Sequence, residues 1–101
     1  MQRLHLAVAR GVWIATTATG ATYAINPARG CILRTPTPGE ASKPWDAVWV
    51  PWDSIHARQT RTPRTVIVGD QVHFRFGYIG GPRWQSSSTV VELRQATPAE
   101  V

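Results

Sequence analysis

Apolar and polar residues alternate along most of this chain with the period of β-strands. Leu4, Leu6 and Val8 are separated by His5 and Ala7, which predicts a strand punctuated by Arg10-Gly11. Residues 12–34 read as a nearly unbroken three-strand meander. Its strands are 12–18, 21–25 and 31–35, with turns at Thr19-Gly20 and over residues 26–30. If Thr19-Gly20 is a two-residue hairpin loop, Ile14 falls opposite Ile25 and Thr16 opposite Tyr23. That register gathers Ile14, Thr16, Tyr23 and Ile25 on the inner face and leaves Trp13, Ala15, Thr17, Thr22 and Ala24 outside. A five-residue second loop turns Cys31 and Leu33 inward, and a four-residue loop turns Ile32 inward instead; the five-residue loop is preferred.

The proline-rich segment 36–44 is a loop, because its prolines cannot serve a central ladder. The stretch WDAVWVPWDSI then has two readings. Trp45, Trp49 and Trp52 are spaced as one helical face, with Ser42 as cap, but Pro51 limits such a helix to one or two turns. The other reading, and the preferred one, is an edge strand over 47–50 that Pro51 ends. Residues 56–64 form a polar loop or strand edge, residues 65–68 a short strand, and Gly69-Asp70 a tight turn or bulge. Val72, Phe74 and Phe76 alternate with His73, Arg75 and Gly77 in the clearest strand of the chain. A turn over 79–82, a last strand over 87–93 and a frayed tail over 96–101 complete the pattern. Six to eight short strands at regular spacing predict an all-β fold in one domain over residues 1–95: a small antiparallel, partly open barrel of SH3-like or OB-like character. So short a chain gains most by closing its sheet edges.

Composition adds a sign to this shell. The formal charge is +5, and ten of the eleven cationic residues are arginine. An anionic partner suits that balance, and so does a plain solubility role. Cys31 stands alone, so an internal disulfide framework is excluded and a reducing compartment is expected. The apolar stretch at the N-terminus is broken by His5 and Arg10, too short and too polar for a signal peptide or a membrane span. The expected location is the cytoplasm of a bacterial host cell or a virion.

The succession TTATGATYAIN, CILRTP, VPWDSI, VIVGDQVHFRF and WQSSSTVVEL resembles a group of short β-proteins of actinobacteria and their phages. Those share a Thr-Thr-x-Ser-Gly-x-x-Tyr-x-x-Asp hairpin, a Thr-x-x-Arg strand, a proline-containing apolar bend and a Val-Gly turn into a strand. The likeness spans residues 13–93 and rests on structural positions. The chain departs from it at Asn26, where the group has Asp, and in the Trp-rich stretch 45–52. The resemblance implies no activity; it implies a phage or mobile-element setting.

Candidate chemistry is sparse. Arg58, Arg61 and Arg64, with Arg75 and Arg83, are candidates for a stripe that tracks phosphates, since arginine meets phosphate in a bidentate way; the alternative is a solvated loop. Trp45, Trp49, Trp52 and Trp84 are candidate interface residues, able to stack on bases or anchor a protein contact, against the alternative that they fill or cap the core. His73, Arg75 and Gly77 share one strand face, a basic face with room for close approach. The echo of Pro44-Trp45-Asp46 in Pro51-Trp52-Asp53 suggests that each Asp bonds the backbone near its own turn. Asp53, Ser54 and His56 are close in sequence but define no triad. Cys31, His5, His56 and His73 lack metal-ligand spacing, and Cys31 reads as a small buried apolar residue. The expectation is a binding module without catalytic activity, cofactor or metal, whose partner is DNA, RNA or a complex that carries nucleic acid. The alternatives are a phage-particle subunit (neck, tail or capsid) that contacts other protein subunits, and a small inhibitor that docks on a host protein.

Overall fold

The computed structural model describes residues 2–100. Its strands are β1 (Arg3–His5), β2 (Trp13–Thr17), β3 (Thr22–Asn26), β4 (Cys31–Thr35), β5 (Trp49–Ala57), β6 (Thr62–Pro63), β7 (Thr65–Ile67), β8 (Val72–Tyr78), β9 (Gly81–Ser86) and β10 (Val90–Gln95). The expected all-β, antiparallel character holds; among the described residues there is no α-helix, only a 3-10 turn at Pro98–Glu100. The main sheet runs β10-β2-β3-β4-β5-β8-β9, with β6 folded back on β5, and β1 and β7 pair separately.

Two features curl this sheet. The edge strands β9 and β10 are consecutive in the chain and joined only by residues 87–89. So short a link spans at most about 14 Å, so the end of β9 and the start of β10 lie close together. The long strand β5 pairs with β4 through Trp49–Pro51 and with β8 from Trp52 onward, with a register shift between Trp52 and Ser54. An extra residue at that point bends a strand and strengthens its twist.

The curled sheet encloses Tyr23, Ile25, Ile32, Val50, Ile55, Val72, Phe74, Phe76, Val90 and Leu93, with Leu4, Leu6 and Val66 of the β1–β7 ribbon packed against them. Tyr23 meets Phe74 edge-on, with ring centroids 6.0 Å apart, a preferred aromatic geometry.

The meander register differs from the sequence expectation by one residue. Trp13 pairs with Ile25 and Ala15 with Tyr23. The loop has three residues, closed by Thr17 N–H to Ala21 O and by Gly20 N–H to Thr17 O, with Gly20 at φ 95°. Ala15, Thr17, Tyr23 and Ile25 are therefore buried, Ile14 and Thr16 lie on the outer face, and Trp13 packs against the core. The second loop has four residues, because Asn26 pairs with Cys31; Ile32 is buried while Cys31 and Leu33 face outward.

Pro51 does not end its strand. Trp52 N–H donates to Gly30 O, so the Cys31–Pro51 pair asks for no N–H from Pro51 on the β4 side, and pairing with β8 begins only at Trp52. The first strand stops at His5, whose carbonyl takes the N–H groups of Val8 and Ala9, leaving Val8 exposed. Strand β9, which the sequence did not predict, pairs with β8 along its length; Pro82 is tolerated there because the strand lies at the sheet edge.

One buried ionic group ties the segment 36–47 to the meander. Arg34 lies on the inner side of β4, where its Nε donates to the Tyr23 hydroxyl at 3.2 Å, its Nη1 to Asp46 at 2.8 Å and its Nη2 to Glu40 at 2.9 Å. Burial works against the guanidinium charge, but these three partners outweigh it and hold the group more firmly protonated than usual. Asp46 also accepts the Lys43 N–H at 2.9 Å, the turn bond expected of it. Its echo Asp53 instead faces Arg75 at 3.5 Å.

Candidate functional site

Strands β5, β8 and β9 lie side by side, and the alternation that buries Val72, Phe74 and Phe76 turns His73, Arg75 and Gly77 outward. Cross-strand pairing orders this outer face into rows: His56, His73 and Ser86; Ser54, Arg75 and Trp84; then Gly77 with Pro82. In the first row the His56 and His73 rings are 5.0 Å apart, and His73 Nδ1 shares a 2.6 Å hydrogen bond with Ser86 Oγ. In the second row the Arg75 guanidinium lies 5.6 Å from the centroid of the Trp84 ring, which is 59% exposed. A cation over an indole face attracts it electrostatically and leaves the other face of the ring open to a planar partner.

Beside the histidine row lies a cleft of about 540 Å³, lined by Ser54, Ile55, His56, Arg58, Arg61, Pro63 and His73. The β5–β6 turn supplies both arginines, and a buried carboxylate shapes it. Asp70 accepts the N–H groups of Gln59 at 2.8 Å, Gln71 at 2.7 Å and Thr60 at 3.1 Å, and the Thr60 hydroxyl at 3.0 Å. Burial raises its pKa, but these donors outweigh burial and hold it below its ordinary 3.8. Arg58 is steadied by Gln71 through its backbone at 2.9 Å and its side chain at 3.2 Å. Burial, helped by His56 and Arg58, holds His73 below its ordinary value.

The six acidic side chains are all engaged elsewhere. Glu40 and Asp46 bind Arg34, Glu92 and Glu100 flank Arg94, Asp53 meets Arg75, and Asp70 holds the turn. None lines the cleft, so Arg58 and Arg61 present positive charge there without a carboxylate partner among the described residues.

Of the arginines singled out from sequence, Arg58 and Arg61 meet at the cleft and Arg75 stands on the same sheet face. Arg64 sits at the corner between β6 and β7 with φ 49°, outside the cleft lining. Arg83 pairs with Phe76 and so faces the opposite side from Trp84, its guanidinium 6.0 Å from the Trp45 ring. The tryptophans divide likewise. Trp84 belongs to the face; Trp45 and Trp52 are half-buried against the core, Trp45 touching Phe76 and Tyr78. Trp49 is exposed on a different face. Sequence reasoning missed His56 and Ser86, which only cross-strand pairing brings to His73, and Asp70, whose role is to hold backbone donors.

A second opening of about 550 Å³ lies on the outside of the meander, lined by Val12, Ile14, Ala24, Cys31, Leu33 and Trp49 among others. Cys31, expected to be buried, is half-exposed there. Among the described residues no three His, Cys, Asp or Glu side chains converge as metal ligands, and no helix is long and apolar enough to cross a membrane. Compared with protein-family models, with curated proteins and with solved structures, the chain shows no significant match to any of them.

Proposed function

We propose that this protein is a nucleic-acid-binding module that uses the outer face of β5, β8 and β9, on a sheet we read as a partly open barrel of OB-like or SH3-like kind. One observation carries the reading: the exposed Trp84 indole, with Arg75 over it, stands on the same face as the Arg58–Arg61 cleft. Bases stack on exposed aromatic rings while arginines follow the phosphates, and this mode is tolerant of sequence. The face also offers Gly77, where even an added Cβ would meet nothing within 4 Å, so a backbone or base can lie close to the sheet. The setting implied by the resemblance is a phage or mobile element.

Fluorescence anisotropy with labelled single-stranded and duplex oligonucleotides at low salt tests it. Binding should weaken steeply as salt rises, because counterions are released on association. Absence of binding to either form at low salt overturns the proposal.

A second reading, a subunit of a phage particle, is favoured by the apolar opening around Ile14, Leu33 and Trp49. In that reading a neighbouring subunit covers it, and sedimentation would show self-association.

A further inference from the structure

The cleft between β5, β8 and the β5–β6 turn has a chemistry of its own. Its lining joins two imidazoles, two guanidinium groups and the Ser54 hydroxyl, with no carboxylate. We propose that this cleft is a phosphate seat, and that filling it is coupled to proton uptake by the His56–His73 pair. The inference rests on the nucleic-acid reading only in taking the phosphate to be that of a polynucleotide backbone; the seat itself is defined by its own residues.

Coupling follows from what surrounds the pair. His56 faces His73 across the strands at 5.0 Å, Arg58 and Arg61 come from the turn, and Arg75 stands two residues along β8. From β9 comes the neutral Ser86. Asp53 faces Arg75, and Asp70 is turned to the backbone donors of the turn. Every charged neighbour on the cleft is cationic, and while the cleft is open burial, with His56 and Arg58 adding to it, opposes a proton on His73. A phosphate seated between the arginines reverses the sign of the local field. Each imidazole then gains an acceptor for a second N–H, which only its protonated form carries. By linkage, whatever the anion adds to imidazole pKa it regains as affinity on acidification, about tenfold for each pH unit by which a midpoint rises.

The test uses the whole protein and inorganic phosphate. The ring-proton NMR signals of His56, His73 and His5 are followed against pH, in phosphate and in sodium chloride of equal ionic strength. Phosphate should raise the midpoints of His56 and His73 by about half a pH unit to one pH unit and leave His5, which lies outside the cleft, unmoved. Unmoved cleft histidines, or an equal rise at His5, overturn the proposal.

A second arm measures oligonucleotide affinity at pH 6 and pH 8 for the wild type and for His56→Gln and His73→Gln. The wild type should bind more tightly at pH 6, and each variant should lose part of that gain. Oligonucleotide binding with silent histidines rejects the seat and keeps the nucleic-acid reading. Responsive histidines without oligonucleotide binding keep the seat and reject that reading.

Discussion

The Asp70 carboxylate accepts both the hydroxyl and the N–H of Thr60, at 3.0 and 3.1 Å, so the turn that carries Arg58 and Arg61 hangs from a buried anion beneath it. Asp70→Asn should therefore weaken both fold and cleft. An amide keeps one acceptor and turns its NH₂ toward backbone donors, which leaves buried groups unpaired at a cost of about 1–3 kcal/mol. The sign with pH is fixed. Asp70 has a folded-state pKa below its ordinary 3.8, so its contribution is present above that value and is lost as pH falls through the folded-state value. Urea unfolding at pH 7 and at pH 3 should show a gap between wild type and variant that narrows in acid. A gap unchanged by pH would show that the carboxylate charge is not what holds the turn.

The Arg34–Asp46 pair sits almost wholly out of solvent, with side chains 7% and 1% exposed, and Asp46 Oδ1 has no hydrogen-bond partner among the described residues. Removing one member of such a pair strands the other charge, at a cost of about 3–5 kcal/mol, whereas replacing both by apolar groups of like volume is often neutral. Asp46→Leu and Arg34→Met should each destabilise strongly, and the double variant that combines them should recover most of the loss. Denaturant midpoints for the three proteins decide it; additive losses would contradict it. Glu40→Gln should have a small effect, since Glu40 lies at the surface end of the group.

What could be read before folding depended on how one-sided each strand is. In β8 the inner residues are Val72, Phe74 and Phe76 and the outer ones His73, Arg75 and Gly77, so only one orientation suits a core. The meander is apolar on both sides. Ile14, Ala24 and Leu33 line the outer opening while Ala15, Tyr23, Ile25 and Ile32 fill the core, so hydrophobicity does not choose between the registers and one loop residue does. Strand β9 contributes no fully buried residue, so it carries no apolar alternation to detect. At the site, the arginine cluster was visible as charge. Its division into Arg58 and Arg61 at the cleft, Arg64 at a corner and Arg83 on the reverse face depends on turn geometry and pairing that spacing does not encode.

The conformation of the first hairpin's turn can be tested directly. Gly20 closes the first hairpin at φ 95°, a conformation that costs an L-residue about 1–2 kcal/mol, and an added Cβ would meet only Thr37 and Pro38 at 3.7 and 3.9 Å. Gly20→Ala should therefore destabilise through backbone conformation alone. Gly77→Ala, in ordinary strand conformation with open space around it, should leave thermal stability nearly unchanged. Thermal melts of both variants suffice. Equal tolerance at the two positions would mean that Gly20 does not hold a positive φ in the folded hairpin.

The β5–β8–β9 face makes its sharpest claim at Trp84 and Arg83, neighbours in sequence on opposite sides of one strand. Trp84 is largely exposed, so Trp84→Ala should leave stability nearly intact while removing the stacking surface. Loss of one base–aromatic stack is worth about 1–3 kcal/mol, or roughly 5- to 150-fold in affinity for a single strand. Arg75→Ala should also weaken binding, because it removes both the cation over the indole and a phosphate partner from the same face. Arg83→Ala removes an equal charge from the reverse side and should change affinity far less. Replacing Arg58 and Arg61 together by alanine should flatten the salt dependence, by about 0.7 in logarithmic slope for each phosphate that a single strand no longer has neutralised. Oligonucleotide titrations at several salt concentrations separate the outcomes. Equal losses at positions 83 and 84 would mean that overall charge, rather than this face, attracts the ligand.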